Sequence, residues 1–209
     1  MTPIEAGVGK IGPNAITRTT EATRALYGEA DTARLLHAAG IGGYLGAPPT
    51  RMVDECEVVA LHGAMRDLFG PVGARRVARA AGERTADYLL ANRIPLAAQY
   101  LLRALPQGPS SRLLLRAIGS HAWTFAGTGH FSATAGHPTR LGIAGCPICR
   151  GARADAPACD YYAATFERLF RVLINARASV IETECAALGA SDCVFTIRWR
   201  DRPDGDGAG

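Results

Sequence analysis

The sequence predicts an α+β fold in which helices cover one antiparallel sheet. Apolar residues recur at helical spacing through the first half of the chain, short β-like runs begin near Gly119, and a strong helix then precedes two more strands. The length of 209 residues fits one large domain, or a compact domain with an extension. We expect a helical extension at 1–50, the main domain at 51–200 and a disordered tail at 201–209.

Six helices are expected in the first half, at 17–27, 31–39, 54–69, 71–92, 95–105 and 111–118. Gly28 separates the first two, because glycine commonly interrupts helices. In the third, Val58, Leu61 and Met65 fall on one side. Pro71 can begin the fourth, since the first helical position needs no N–H donor. The first half is therefore predicted to be all-helical.

The second half is predicted to be mixed. Strand-like runs at 121–126, 129–135 and 140–144, separated by glycine and proline, predict an antiparallel meander. A helix is expected at 158–177, where Tyr162, Phe166 and Leu169 recur at helical spacing. Strands at 180–183 and 193–199, joined by a turn through Gly189 and Asp192, complete the prediction with a hairpin.

The composition is that of an ordinary globular protein, with 48% hydrophobic and 20% charged residues. The net charge of +4 is spread along the chain, so no nucleic-acid partner is expected. No window approaches the roughly 18 apolar residues of a membrane span, and the first residues lack the pattern of a secretory signal. We expect a cytoplasmic protein with no transmembrane segment, whose membrane contacts, if it makes them, are peripheral.

Five of the six cysteines lie in the last third of the chain, a crowding that favours a metal site over simple packing or disulfides. Cys159, Glu182, Cys185 and Cys193 form a spaced set of donors. Three thiolates and a carboxylate complete a closed tetrahedron, which is typical of structural Zn²⁺. Strict strand alternation would separate Glu182 from Cys185, so the strand has to bend or end near Thr183.

Cys146 and Cys149 form a CxxC motif, a spacing that can chelate a metal or form a redox pair. A thioredoxin-like motif opens a helix after a strand, whereas Gly151 and Pro157 predict a loop here. Redox catalysis, a second metal or iron–sulfur cluster, and bystander thiols all remain open.

Aromatic and histidine side chains form a second group of candidates, comprising His121, Trp123, Phe125, His130, Phe131, Tyr161, Tyr162 and Phe166. Strand alternation would put the first three on one face. This face either lines an apolar ligand pocket or belongs to a plain hydrophobic core. The sequence has no glycine-rich phosphate loop and no Gly-x-Ser-x-Gly elbow, so dinucleotide-binding and conventional hydrolase functions are not supported.

Residues 159–170, with the segments 182–185 and 189–195, resemble the 4-vinyl reductase domain family. The stretch 9–16 narrows the resemblance to the J-protein subfamily of bacteriochlorophyll biosynthesis. The resemblance implies that 51–200 is an α+β ligand-binding domain of a kind that commonly dimerises. It also implies a zinc site whose matching ligands here are Cys159, Glu182, Cys185 and Cys193. The CxxC cysteines fall outside that pattern.

The resemblance leads to a functional hypothesis, in which the chain binds a tetrapyrrole of the porphyrin or chlorophyllide type and delivers it to pathway enzymes such as magnesium chelatase. Aromatic side chains would contact the macrocycle, arginines would pair with its carboxylates, and Ala163 and Ala164 would leave room for the ring. The residues supply no hydride-carrying cofactor site, so we favour a non-catalytic carrier, a cytoplasmic homodimer that contacts the photosynthetic membrane peripherally. Two alternatives stay open: reduction of the 8-vinyl group (4-vinyl in older numbering) of a divinyl chlorophyllide precursor, and a structural assembly factor.

Overall fold

A computed structural model of the protein describes residues 9–199, and the predicted α+β class is confirmed. The predicted tail at 201–209 lies outside the described residues. The helices and strands, in chain order, are β1 (Lys10–Ile11), α1 (Asn14–Ala38), β2 (Val53–Asp54), α2 (Glu55–Asn92), α3 (Leu96–Ala104), α4 (Gln107–Ser120), β3 (His130–Thr134), β4 (Thr139–Ala144), α5 (Asp160–Leu173), β5 (Ser179–Glu184) and β6 (Asp192–Arg198). Single-turn 3₁₀ helices lie at Gly42–Leu45, Ala122–Thr124 and Ala186–Leu188.

The two longest helices are each kinked at one glycine. Gly28 in α1 and Gly70 in α2 have non-helical backbone angles, with φ of 85° and 63°. These positive values suit glycine, because other L-residues rarely adopt them. The four helices predicted at 17–27, 31–39, 54–69 and 71–92 therefore occur as two kinked pairs, each interrupted where the sequence indicated.

The main sheet has four antiparallel strands in the order β3-β4-β6-β5. The central pair, β4 and β6, places Leu141 opposite Phe195 and Ile143 opposite Cys193, with all four side chains buried. The hairpin predicted from 180–183 and 193–199 is confirmed as β5 and β6. Its register shifts between Glu182 and Glu184, which is the bend that the sequence required near Thr183.

The strand predicted at 121–126 is wrong. The chain there ends α4 and forms the 3₁₀ turn Ala122–Thr124. Its N–H groups are satisfied locally, with Thr124 N donating to His121 O at 2.9 Å and Ala126 N to Ala122 O at 2.8 Å. The predicted meander is therefore only the β3–β4 hairpin, and the third strand beside it is β6.

Helix α5 lies between α2 and the sheet, and almost every residue from Tyr161 to Leu173 that faces these neighbours is buried. The contact with α2 is closest at Gly82, where an added Cβ would lie 2.2 Å from the Tyr161 carbonyl oxygen. The Thr165 hydroxyl donates to the Gly82 carbonyl at 3.1 Å. A side chain at Gly82 would therefore force the two helices apart.

The predicted extension and the main domain share one core in the structure. Ile16, Leu35 and Leu36 of α1 are buried in the same hydrophobic cluster as α2 and the sheet, so the boundary at residue 50 stays a prediction. Within residues 9–199, every helix falls short of the length and hydropathy that crossing a bilayer requires.

Candidate metal centre

Five buried cysteines and one glutamate converge where the sheet meets the N-terminus of α5. The loop after β4 supplies Cys146 and Cys149, Cys159 directly precedes α5, Glu182 lies in β5, Cys185 follows β5, and Cys193 lies in β6. We call these six residues the donor cluster. The Sγ atoms of Cys146 and Cys159 are 3.4 Å apart, those of Cys149 and Cys193 are 3.1 Å apart, and those of Cys159 and Cys193 are 3.5 Å apart.

The donor cluster contains two overlapping sets of four ligands, each with all ligand atoms within 4.8 Å of one another. One set is the one that the sequence predicted, namely Cys159, Glu182, Cys185 and Cys193. The other consists of Cys146, Cys149, Cys159 and Cys193. The CxxC motif, which the sequence left outside the four-ligand pattern, therefore lies against it and shares two of its cysteines.

Glu182 is held in the cluster by the register shift of β5. Its Oε2 accepts a hydrogen bond from the Cys159 backbone N–H at 2.8 Å, while its Oε1 is buried with no hydrogen-bond partner. Burial, against that N–H bond, raises the pKa of the carboxyl to about 8. An orphaned carboxylate oxygen among thiols fits a cation, and the soft and hard donors together suit Zn²⁺.

The thiols of the cluster perturb one another. Hydrogen bonds from Cys146 and then Cys159 lower the pKa of Cys149, whereas the same kind of contact with Cys146 raises the pKa of Cys159. One thiolate is thus stabilised by its neighbours, and further thiolates are disfavoured beside it. Full deprotonation of the cluster needs positive charge, which a metal ion would supply.

A buried ion pair that the sequence analysis missed fastens the CxxC loop. Glu55, the first residue of α2, accepts from Arg150 Nη1 at 2.6 Å, from Thr128 N at 2.8 Å and from Thr128 Oγ1 at 2.6 Å. Gly127 has a φ of 60°, and a Cβ there would lie 2.0 Å from Glu55 Oε2, so the backbone closes directly over the carboxylate. No signal in the sequence marked Glu55, because its partners are 73 and 95 residues away.

His62 of α2 is a second buried polar group that the sequence analysis missed. Its side chain is fully buried, and neither ring nitrogen has a hydrogen-bond partner among the described residues. Its ring lies edge-on to Tyr161, with 5.8 Å between ring centroids. Desolvation, followed by the nearby charge of Arg66, lowers the pKa of His62 to about 3, so the imidazole is neutral at pH 7.

The predicted aromatic pocket residues divide into two groups. Phe125, Phe131, Tyr162 and Phe166 pack together with Phe195, which the sequence analysis did not include, and centroid distances run from 5.4 to 6.4 Å. We call these five the aromatic cluster. The Tyr162 hydroxyl donates to the Phe125 carbonyl at 2.6 Å. Ala163 is buried on α5.

The remaining predicted pocket residues lie outside this packing. His121 and His130 are exposed, and Trp123 is 62% exposed. Their predicted common face does not form, because residues 122–124 turn instead of extending. Two shallow surface clefts of about 330 and 310 Å³ lie elsewhere, one between α2 and α5 around Glu83 and Arg168, the other around Tyr27 and Phe69. The rings of the aromatic cluster therefore fill their own space in this conformation.

Comparison with known sequences confirms the resemblance drawn above. The family model of the 4-vinyl reductase domain matches residues 139–199. The chain is 43% identical over 188 residues to the bacteriochlorophyll synthase 23 kDa chain of Cereibacter sphaeroides, covering 90% of each chain. It is 37% identical over 188 residues to the protein of the same name from Rhodobacter capsulatus, covering 90% of this chain and 86% of that one.

Comparison with solved structures identifies the same fold in H-NOX proteins. An Fe(II) unliganded H-NOX protein mutant from K. algicida superposes with a TM-score of 0.61, covering 92% of this chain and 98% of that one, at 10% identity. A structure titled "Probing the function of heme distortion in the H-NOX family" gives a TM-score of 0.60 at 13% identity, with 95% and 100% coverage. At this level of identity the likeness is one of fold.

Proposed function

The chain belongs to the family of the bacteriochlorophyll synthase 23 kDa chains, with a 4-vinyl reductase domain in its C-terminal part, and from this premise we propose that it binds a tetrapyrrole intermediate of bacteriochlorophyll biosynthesis and delivers it to pathway enzymes. The observation that carries the proposal is the 43% identity to the Cereibacter protein over 90% of both chains. Identity at this level and coverage is expected to preserve the general role of the protein in its pathway.

The fold supports a tetrapyrrole as the ligand class. Titles of matching H-NOX structures name heme and porphyrin distortion, so in those proteins this fold accommodates a macrocycle. Fold likeness alone does not assign a function, and here it serves only to agree with the pathway role.

We propose the aromatic cluster as the place of binding. The segment 121–131 covers the cluster, and its Phe125 and Phe131 are only half-buried, whereas Tyr162 and Phe166 beneath them are buried. Displacing this segment would expose ring faces on which a flat macrocycle can stack. Arg112 and Arg116 of α4, which make no ion pair among residues 9–199, are available for its carboxylates.

We propose that the donor cluster serves this function as a structural zinc site. Its ligands come from β5, β6, the loop after β4 and the residue before α5, so bound zinc would tie the sheet to the helix that carries Tyr162 and Phe166. A closed site of this kind stabilises a fold without offering an open coordination position. This arrangement favours a carrier over a vinyl reductase.

The carrier proposal is tested by titrating protoporphyrin, its magnesium complex and divinyl protochlorophyllide against the purified protein and following the main porphyrin absorption band. We expect a saturable shift with at least one of them. Phe166→Leu should weaken binding about tenfold, the loss expected for one aromatic contact. Phe69→Leu is the matched control, because Phe69 stacks on Tyr27 at 4.6 Å away from the aromatic cluster.

Three results would separate this proposal from its alternatives. If none of the three pigments binds, the carrier is excluded and an assembly factor remains. If a bound divinyl pigment is converted to the ethyl product when a reductant is added, the protein is a reductase. If the pigment binds unchanged and passes to magnesium chelatase in a mixing experiment, the carrier and its receiving enzyme are both supported. Light scattering during the same purification tests the proposed homodimer.

We also propose that the protein works in the cytoplasm and docks on the photosynthetic membrane through α3 and α4. Residues 88–154 contain seven arginines and no aspartate or glutamate. On α3, Leu96, Tyr100 and Leu101 are 70%, 67% and 50% exposed. An exposed apolar helix face with a basic surround matches the interface of an anionic bilayer.

Membrane docking is tested by sedimentation with phosphatidylglycerol vesicles and with phosphatidylcholine vesicles. We expect binding to the anionic vesicles only, reduced by salt and lost in the double variant Leu96→Glu, Leu101→Glu. Val72→Glu is the control, because Val72 is 74% exposed on α2, outside this face. Equal binding by the α3 variant and by the control would exclude this face as the docking surface.

A further inference from the structure

The donor cluster has six members, while a single tetrahedral ion uses four. The two four-ligand sets have Cys159 and Cys193 in common, and each set adds two donors of its own. Two tetrahedra that share one edge need six ligands, two of them common to both. The composition of the cluster therefore equals the ligand requirement of two edge-sharing ions.

The distances agree with this arrangement. The shared pair, Cys159 and Cys193, has Sγ atoms 3.5 Å apart. On one side of this edge, Cys146 Sγ lies 3.4 Å from Cys159 and Cys149 Sγ lies 3.1 Å from Cys193. Zn–S bonds of about 2.3 Å place the sulfurs of a tetrahedral site about 3.8 Å apart, so small outward shifts would admit an ion.

We infer that the donor cluster binds two Zn²⁺ ions, one held by Cys146 and Cys149 and the other by Glu182 and Cys185, with Cys159 and Cys193 bridging both. Each thiol that coordinates gives up its proton to solvent, and no electron transfer is involved. This inference does not depend on the tetrapyrrole proposal.

Charge favours two ions over one. With all six members ionised, the buried cluster carries six negative charges, and one divalent ion would leave four of them unbalanced in a site that excludes water. A second ion reduces the excess to two, which nearby donors offset. The Ala186 N–H lies 3.5 Å from Cys193 Sγ, and Arg66 Nη1 donates to Ile148 O of the CxxC loop at 3.1 Å.

Metal content of purified variants tests the inference. We expect two zinc ions per chain in the unmodified protein. The double variants Cys146→Ser, Cys149→Ser and Glu182→Gln, Cys185→Ser should each retain one, because each leaves the other ion's four ligands in place. Cys159→Ser and Cys193→Ser should each lose both ions. Cys56→Ser is the matched control and should retain two, since Cys56 is exposed and outside the cluster.

A measurement on the unmodified protein covers the case in which variants do not fold. After replacement of zinc by cadmium, NMR of the cadmium nuclei should give two resonances coupled to each other through the bridging sulfurs. One resonance, or one ion per chain that persists in Cys146→Ser, Cys149→Ser, overturns the inference in favour of a single site. Iron with acid-labile sulfide in anaerobically purified protein overturns it in favour of an iron–sulfur cluster.

Discussion

The α2–α5 interface and the donor cluster lie side by side but are stabilised in different ways. At the interface, α5 buries nearly its whole length against α2 and the sheet, and the helices approach so closely that Gly82 has no room for a side chain. In the donor cluster, buried space is occupied by thiols and a carboxylate, and one carboxylate oxygen has no partner. Apolar packing stabilises the first region by itself, whereas the second depends on what it binds.

Removing metal should have the largest effect and should act on one region only. Structural zinc commonly contributes about 10 kcal/mol of apparent binding free energy to small domains, so we expect chelation to lower the thermal midpoint by about ten degrees or more. Hydrogen exchange should lose protection in β5, β6 and the loop after β4, and keep it in α2. Equal protection of both regions with and without chelator would contradict the comparison.

Glu55→Gln should have the next largest effect, because it leaves Arg150 without a charge partner at a site where the glutamate is 4% exposed. We expect a loss of about 2–4 kcal/mol in the free energy of unfolding at pH 7. The measurement is urea unfolding, with Glu29→Gln as a control at an exposed ion pair.

The same variant makes a prediction about pH. Although desolvation opposes it, hydrogen bonding by Arg150 and Thr128 lowers the pKa of Glu55 in the folded protein. A lowered folded pKa contributes stability above the ordinary carboxyl pKa, and this contribution is lost as the pH falls through the folded value. Unfolding free energy should therefore fall less steeply with acid in Glu55→Gln than in the unmodified protein. Parallel acid limbs would be the contrary result.

Gly82→Ala should destabilise the helical interface by about 1–3 kcal/mol, because the new methyl group overlaps Tyr161 O and the Cβ of Ala164. Gly63→Ala in the same helix is the matched control. A Cβ at Gly63 meets no atom within 4 Å, so that variant should gain about 0.5–1 kcal/mol through helix propensity. Thermal unfolding of both variants measures the difference, and opposite signs are the expected outcome.

Tyr161→Phe should have the smallest effect. The Tyr161 hydroxyl lies 2.8 Å from Thr85 Oγ1, and that oxygen also donates to the Ala81 carbonyl at 2.9 Å, so Thr85 stays partnered when the tyrosine hydroxyl is removed. We expect a loss of about 1 kcal/mol. A loss as large as that of Glu55→Gln would show that polar contacts, and not apolar burial, hold the α2–α5 interface.

The sequence predicted what depends on local pattern. Helical spacing and the glycines at 28 and 70 located the long helices and their kinks, and alternation located β5 and β6. The strand at 121–126 was wrong because local hydrogen bonds formed a turn from residues that also suit a strand. The place of Cys146 and Cys149 was not predictable, since it follows from the pairing of β4 with β6, which opposes Ile143 and Cys193 across 50 residues.

The stretch 88–154, with its seven arginines and no carboxylate, gives the molecule an electrical polarity that its net charge of +4 conceals. All nineteen acidic residues lie elsewhere in the chain, against sixteen basic ones. A charged body approaching the protein therefore meets a field that differs from one end of the chain to the other, and rotational orientation begins before contact. The rate of such encounters should fall with ionic strength even where the affinity of the final contact is governed by apolar area.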